Sequence, residues 1–119
     1  LGTASQRASV PTMVHYTNEE ERTIVEALYR LCSSKDESLR ELALQHRKRK
    51  VWMWIEKELG GRSWASMQDR YRKYLHEKIH HVGGISVETV LYIYKYIGTV
   101  LPTLERQNIM KMFPNYHVV

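Results

Sequence analysis

A single cysteine, Cys32, cannot close a disulfide within the chain, so the 119 residues must hold together without one. That fits a reducing compartment. The helical pattern around Cys32 predicts a small buried apolar side chain rather than a reactive thiol. No apolar run approaches the length of a membrane span. No charged-then-apolar leader suggests a signal peptide. Glycine-rich phosphate loops, metal-ligand spacings and a nucleophile beside a base pattern are all missing, so neither catalysis nor a cofactor is expected.

What is present is the composition of one domain with tails: 43% hydrophobic and 26% charged residues. The net charge of +5 is unevenly spread. Residues 1–14 carry +1, 15–45 carry −3, 46–81 carry +6 and 82–119 carry +1. A positive field gathered in the middle third is the footprint of a nucleic-acid binder, although an acidic protein would be attracted by it too.

Residues 1–14 have no periodicity and read as a disordered leader. Thr17 followed by Glu20 forms a capping box, and three successive Glu suit a helix start. Ile24, Val25, Leu28 and Leu31 continue that helix from about Asn18 to Cys32. Its acidic start is expected to face away from any phosphate backbone. Residues 37–45 predict a short extra helix, or one running unbroken into the next. His46-Arg47-Lys48-Arg49-Lys50 is the densest charge run. It suits a solvated surface, part of a nuclear-import address, or phosphate contact.

Val51 to Leu59 predicts a second core helix, with Trp52, Ile55 and Leu59 facing inward. Trp54 points elsewhere, toward another element or a partner. Gly60-Gly61 ends that helix and permits a tight turn. Ser63 then caps a helix through Leu75. At 100° per residue, Trp64, Met67, Gln68, Tyr71, Tyr74 and Leu75 share one face, within about 80° of a line. Ser66, Asp69, Arg70 and Lys73 lie opposite. Helix, glycine turn, helix with a basic back is a helix-turn-helix pattern, and such a rod suits a DNA major groove. A charged back is also what any solvated helix has.

His80-His81-Val82-Gly83-Gly84 reads as a breaker with exposed, weakly cationic histidines. Neither that pair nor His76 with His80 carries the spacing of a metal site. Ser86 opens a helix over Val87 to Ile97, although Val90 to Ile97 also alternates as a strand does. A last helix spans Leu104 to Phe113 and stops at Pro114. This apolar segment, 82–119, must pack on the preceding unit, on another copy or on a partner.

Tyr16-Thr17-x-Glu19-Glu20-Glu21, Trp52-x-x-Ile55-x-x-x-Leu59 and Arg62-Ser63-x-x-Ser66-Met67-Gln68-x-Arg70-Tyr71-x-x-x-Leu75 resemble, in order, the three helices of a Myb repeat. The third is most similar to the Myb domain of telomeric repressor/activator proteins. Trp52 stands 36 positions after Tyr16, a longer gap than in a standard repeat, and the insert is 33–50. The resemblance covers about 15–78. It implies an all-α, three-helix Myb/homeodomain-like fold over 15–81, with an extra helix in the first connection and a C-terminal helical extension.

The function so implied is binding of double-stranded DNA, in the nucleus and on telomeric chromosome ends. Ser66, Asp69 and Lys73 are expected nearest the bases, Arg70 and Arg72 on phosphates or guanines, and Arg47, Lys48, Arg49 and Lys50 on neighbouring phosphates, with Arg62 alongside. A single module of this kind usually binds weakly, so a homodimer through 86–113 or a second DNA-binding unit is expected. Some relatives use this fold to bind proteins, so the alternative is an interaction module in a telomere or chromatin complex.

Overall fold

A computed structural model describes residues 15–115; the expected leader lies outside them. The described residues are all helical, in the order α1 (Asn18–Cys32), α2 (Glu37–Leu44), α3 (Arg49–Leu59), α4 (Trp64–Lys73), two single-turn 3-10 helices (Leu75–Glu77 and Ile79–His81), α5 (Val87–Ile97) and α6 (Thr103–Met112). The caps set these boundaries. Thr17 Oγ1 accepts from the Glu20 amide at 3.1 Å, and Glu20 Oε1 accepts from the Thr17 amide at 3.0 Å. Both halves of the capping box are therefore made. Asp36, Ser63 and Ser86 cap α2, α4 and α5 by the one-way bond, each side chain accepting from an amide of the first turn. Gly98, at φ 79°, ends α5 in the left-handed region.

One core runs through the molecule. Ile24, Leu28 and Leu31 of α1 meet Trp52 and Ile55 of α3, Met67 and Tyr71 of α4, and Val90 and Ile93 of α5, all buried. The C-terminal segment thus packs on the preceding unit: α5 lies against α1 and α2. The 87–97 run is a helix, not a strand, because the core supplies one apolar wall and α5 lays one stripe on it. Trp54 is partly buried against the same core.

Two boundaries and one burial differ from expectation. The extra helix is short and separate, as its composition predicts, but α3 starts two residues early, its first turn already containing Arg49 and Lys50. Helix α4 stops at Lys73, and buried Leu75 belongs to the 3-10 turn that follows. His80, expected to be exposed, is buried. Its Nε2 meets Glu105 Oε1 at 2.8 Å and its Nδ1 meets the Tyr94 hydroxyl at 2.7 Å. With both ring nitrogens partnered, the imidazole can leave water.

Candidate nucleic-acid interface

The interface is organised by the turn between α3 and α4. Gly60 and Gly61 take φ of 69° and 82°, which no β-carbon-bearing residue adopts easily. Ser63 Oγ accepts from the Ser66 amide at 3.2 Å. Glu56 of α3 adds a second cap, its Oε2 accepting from the Trp64 amide at 3.2 Å. The two helices are joined by a side chain of one and the free amide of the other.

The inward face of α4 also holds the basic run. Tyr71 packs on Trp52 with ring centroids 4.9 Å apart. The Tyr71 hydroxyl and His46 Nδ1 share a 2.6 Å hydrogen bond, and Trp52 Nε1 donates to the His46 carbonyl at 2.9 Å. Gln68 Nε2 donates to the Arg47 carbonyl at 2.9 Å. Three side chains, Trp52, Gln68 and Tyr71, therefore pin the root of 46–50 to α3 and α4. Burial, with the nearby Arg47 charge, keeps the His46 imidazole below its ordinary pKa. Gln68 was grouped with the core face by periodicity; its amide reaches backbone instead.

From that root Arg47, Lys48, Arg49 and Lys50 project into solvent, none in an ion pair among the described residues. Lys48 is the N-cap of α3 but makes no side-chain cap bond, and the first turn holds no acid. Cations at the positive end of a helix are locally unfavourable, and an anion there would relieve them. Arg72 is exposed and has no ion pair among the described residues. Lys73 pairs with Asp69 at 3.1 Å, but the two side chains stay 76% and 56% exposed, so solvent screens the pair.

The opposite flank of α4 is engaged by α1. Arg62 Nε lies 2.7 Å from Glu20 Oε2, its guanidinium sits 4.2 Å over the Tyr16 ring, and it donates to the His15 carbonyl. Hydrogen bonding from Arg62 holds the Glu20 carboxyl at about 2. Arg70 Nε lies 2.7 Å from Glu21 Oε2, with side chains 29% and 11% exposed, and stacks 4.1 Å over Tyr74. Ser66 Oγ shares a 2.6 Å bond with the Tyr16 hydroxyl. So the acidic start of α1 lies beside α4. Three of the ten candidate residues, Arg62, Ser66 and Arg70, are engaged by Tyr16, Glu20 and Glu21 around the start of α1.

A cavity of about 170 Å³ opens beside this flank, lined by Tyr16, Glu20, Leu59, Arg62 and Met67. Its two charged groups neutralise each other. The interface that remains is a basic ridge: Arg47 to Lys50 on one side, Arg72, Lys73 and Asp69 on the other. No helix among the described residues is long and apolar enough to cross a membrane. The chain matches no family model, no curated protein and no solved structure.

Proposed function

We propose that this chain is a double-stranded DNA-binding module of the Myb helix-turn-helix type, with α4 entering the major groove and the basic run crossing phosphates. The observation that carries the reading is the set of five exposed cations with no ion pair among the described residues: Arg47 and Lys48 just before α3, Arg49 and Lys50 in its first turn, and Arg72 on α4, which is tied to α3 and to the run. An uncompensated cationic ridge on a rigid support is what a polyanion neutralises. Lys73 and Asp69 are the groups nearest the bases: their exposed pair opens at little cost, freeing one donor and one acceptor. Arg62, Arg70 and Ser66 position α4 rather than touch DNA. The telomeric and nuclear setting rests on resemblance of the α4 sequence alone.

Duplex titration at two salt concentrations tests this. Five phosphate contacts give a log–log salt slope of about −4.5, so raising salt from about 50 to about 200 mM weakens binding by several hundredfold. Arg49→Glu/Lys50→Glu and Arg72→Glu/Lys73→Glu must each weaken binding and flatten the slope. Identical binding by wild type and both variants would remove the ridge from the site.

A second reading has its own observation. Val100, Leu104 and Met110 lie exposed on α6 and the loop before it. An interaction module would use that surface while the ridge attracts an acidic partner. Substituting these three by polar residues separates the readings, because DNA affinity then stays unchanged.

A further inference from the structure

A second set of reactive atoms gathers where α6 meets the 3-10 turns that follow α4. His80 and His81 sit side by side in the second 3-10 turn, ring centroids 4.5 Å apart. Both Nε2 atoms converge on Glu105 Oε1 from α6, at 2.8 and 2.9 Å. One ligand atom from each of the three residues lies within 4.8 Å of the others. His80 and Glu105 are buried, while His81 is 37% exposed and opens the cluster to solvent. Lys78 Nζ binds the other carboxylate oxygen, Oε2, at 3.0 Å, and Asn108 Nδ2 lies 3.3 Å from Oε1.

The placement of Glu105 is the unusual part. Helix α6 has ten residues, no side-chain cap, and only two buried positions, Glu105 and Ile109. A leucine at 105 would anchor the helix without taking a carboxylate out of water. A buried Glu there puts oxygen chemistry where packing would suffice. Two imidazoles and one carboxylate, with a fourth direction open to solvent, is a donor set that zinc takes. Tyr94, on Nδ1 of His80, is the outer partner that such a histidine ligand uses.

We infer that His80, His81 and Glu105 form a binding site for a divalent transition ion of the zinc class, which fastens α6 to the body of the domain. Tetrahedral zinc with bonds near 2.0–2.1 Å holds its ligand atoms about 3.3 Å apart, a few tenths of an ångström wider than the two Nε2–Oε1 distances, and all three ligand atoms already lie within 4.8 Å of one another. Without metal, both Nε2 atoms donate to Oε1, and His80 Nδ1 accepts from Tyr94. With metal, each Nε2 lone pair binds the ion and each ring proton moves to Nδ1. His80 then donates to the Tyr94 oxygen. No net proton is lost from neutral imidazoles, and the ion stays divalent throughout. The site is independent of the DNA reading: it lies on other residues and has other readouts.

The full chain, stripped of metal by a chelator, is titrated with Co²⁺ and followed in the visible spectrum. The expected result is one equivalent bound with ligand-field bands of a four- or five-coordinate ion, displaced by Zn²⁺. His81→Ala and Glu105→Gln abolish the bands, Tyr94→Phe weakens binding about 10- to 100-fold, and His15→Ala changes nothing. A readout on the unmodified chain guards against misfolded variants: long-range ¹H–¹⁵N spectra should show His80 switch from the Nε2–H to the Nδ1–H tautomer on adding Zn²⁺. Bands that survive in His81→Ala, or a His80 tautomer indifferent to Zn²⁺, overturn the assignment and leave the cluster as hydrogen bonds alone.

Discussion

The two flanks of α4 carry the same residue type to opposite ends. On the α1 side, Arg62 and Arg70 are held by Glu20 and Glu21 and stacked on tyrosines. On the other side, Arg72 and the run Arg47 to Lys50 have water for company. What separates them is distance in sequence to an acid that the fold returns. The engaged pair meets carboxylates 42 and 49 residues away. Arg47, Lys48, Arg49, Lys50 and Arg72 make no ion pair among the described residues. An arginine count therefore overstates a binding face, and pairing within the chain decides how much of the charge is left over.

This contrast can be broken or sharpened by substitution. The largest effect removes the support shared by both flanks. Tyr71→Ala deletes the ring against Trp52 and the bond to His46. Denaturant unfolding should show a loss of about 3–5 kcal/mol. Next, Arg49→Glu/Lys50→Glu should not lower stability and should raise it by about 0.5–2 kcal/mol, since carboxylates suit the first turn of α3. The same variant should reduce duplex affinity by more than tenfold and flatten the salt slope by about 2. A stability loss without an affinity loss would reverse the roles of the two flanks.

Arg70→Gln is the mirror experiment. It leaves the Glu21 carboxylate without its cation and should cost about 1–2 kcal/mol after allowance for partial exposure. Duplex affinity of the folded protein should change less than threefold. Acidification probes the same flank. The folded Glu20 carboxyl titrates at about 2 instead of 4.5, so its contribution is complete above pH 4.5. It is lost as the pH falls from 4.5 through 2, because the unfolded chain takes up the proton first. His46, held below 6.5, adds an earlier loss as the pH drops under that value. Glu20→Gln should flatten the lower of these two phases in a pH series of melting curves. The smallest effect is Asp69→Asn, where breaking the exposed pair with Lys73 should change stability by under about 0.5 kcal/mol.

The helices were legible wherever a cap and a stripe coincide. Thr17 with Glu20, Ser63 and Ser86 each announce a start that the structure uses. Trp52 with Ile55, and Met67 with Tyr71, lie on the faces that periodicity assigns to the core. The site was legible only in outline. Glu20 reads as a capping residue and is one, but its second duty to Arg62 depends on a contact no local pattern encodes. His80 looked exposed because it sits between cations and glycines; Glu105, 25 residues on, gives it an interior. Gln68 lay on the apolar face by angle, yet a backbone carbonyl at the edge of that face was within its reach. In each case the missing information was a partner distant along the chain.

The carboxylate of Glu56 on the first amide of α4 bears on how the ridge meets a ligand. Because α3 and α4 share that bond, and Gln68 ties α4 back to Arg47, the two rods and the run between them turn as a single lever. Tilting one helix to follow a groove carries the other's charges with it. Docking then orders side-chain tips and little backbone, and the spacing between the two rows of cations acts as a ruler laid against the partner's own charge spacing.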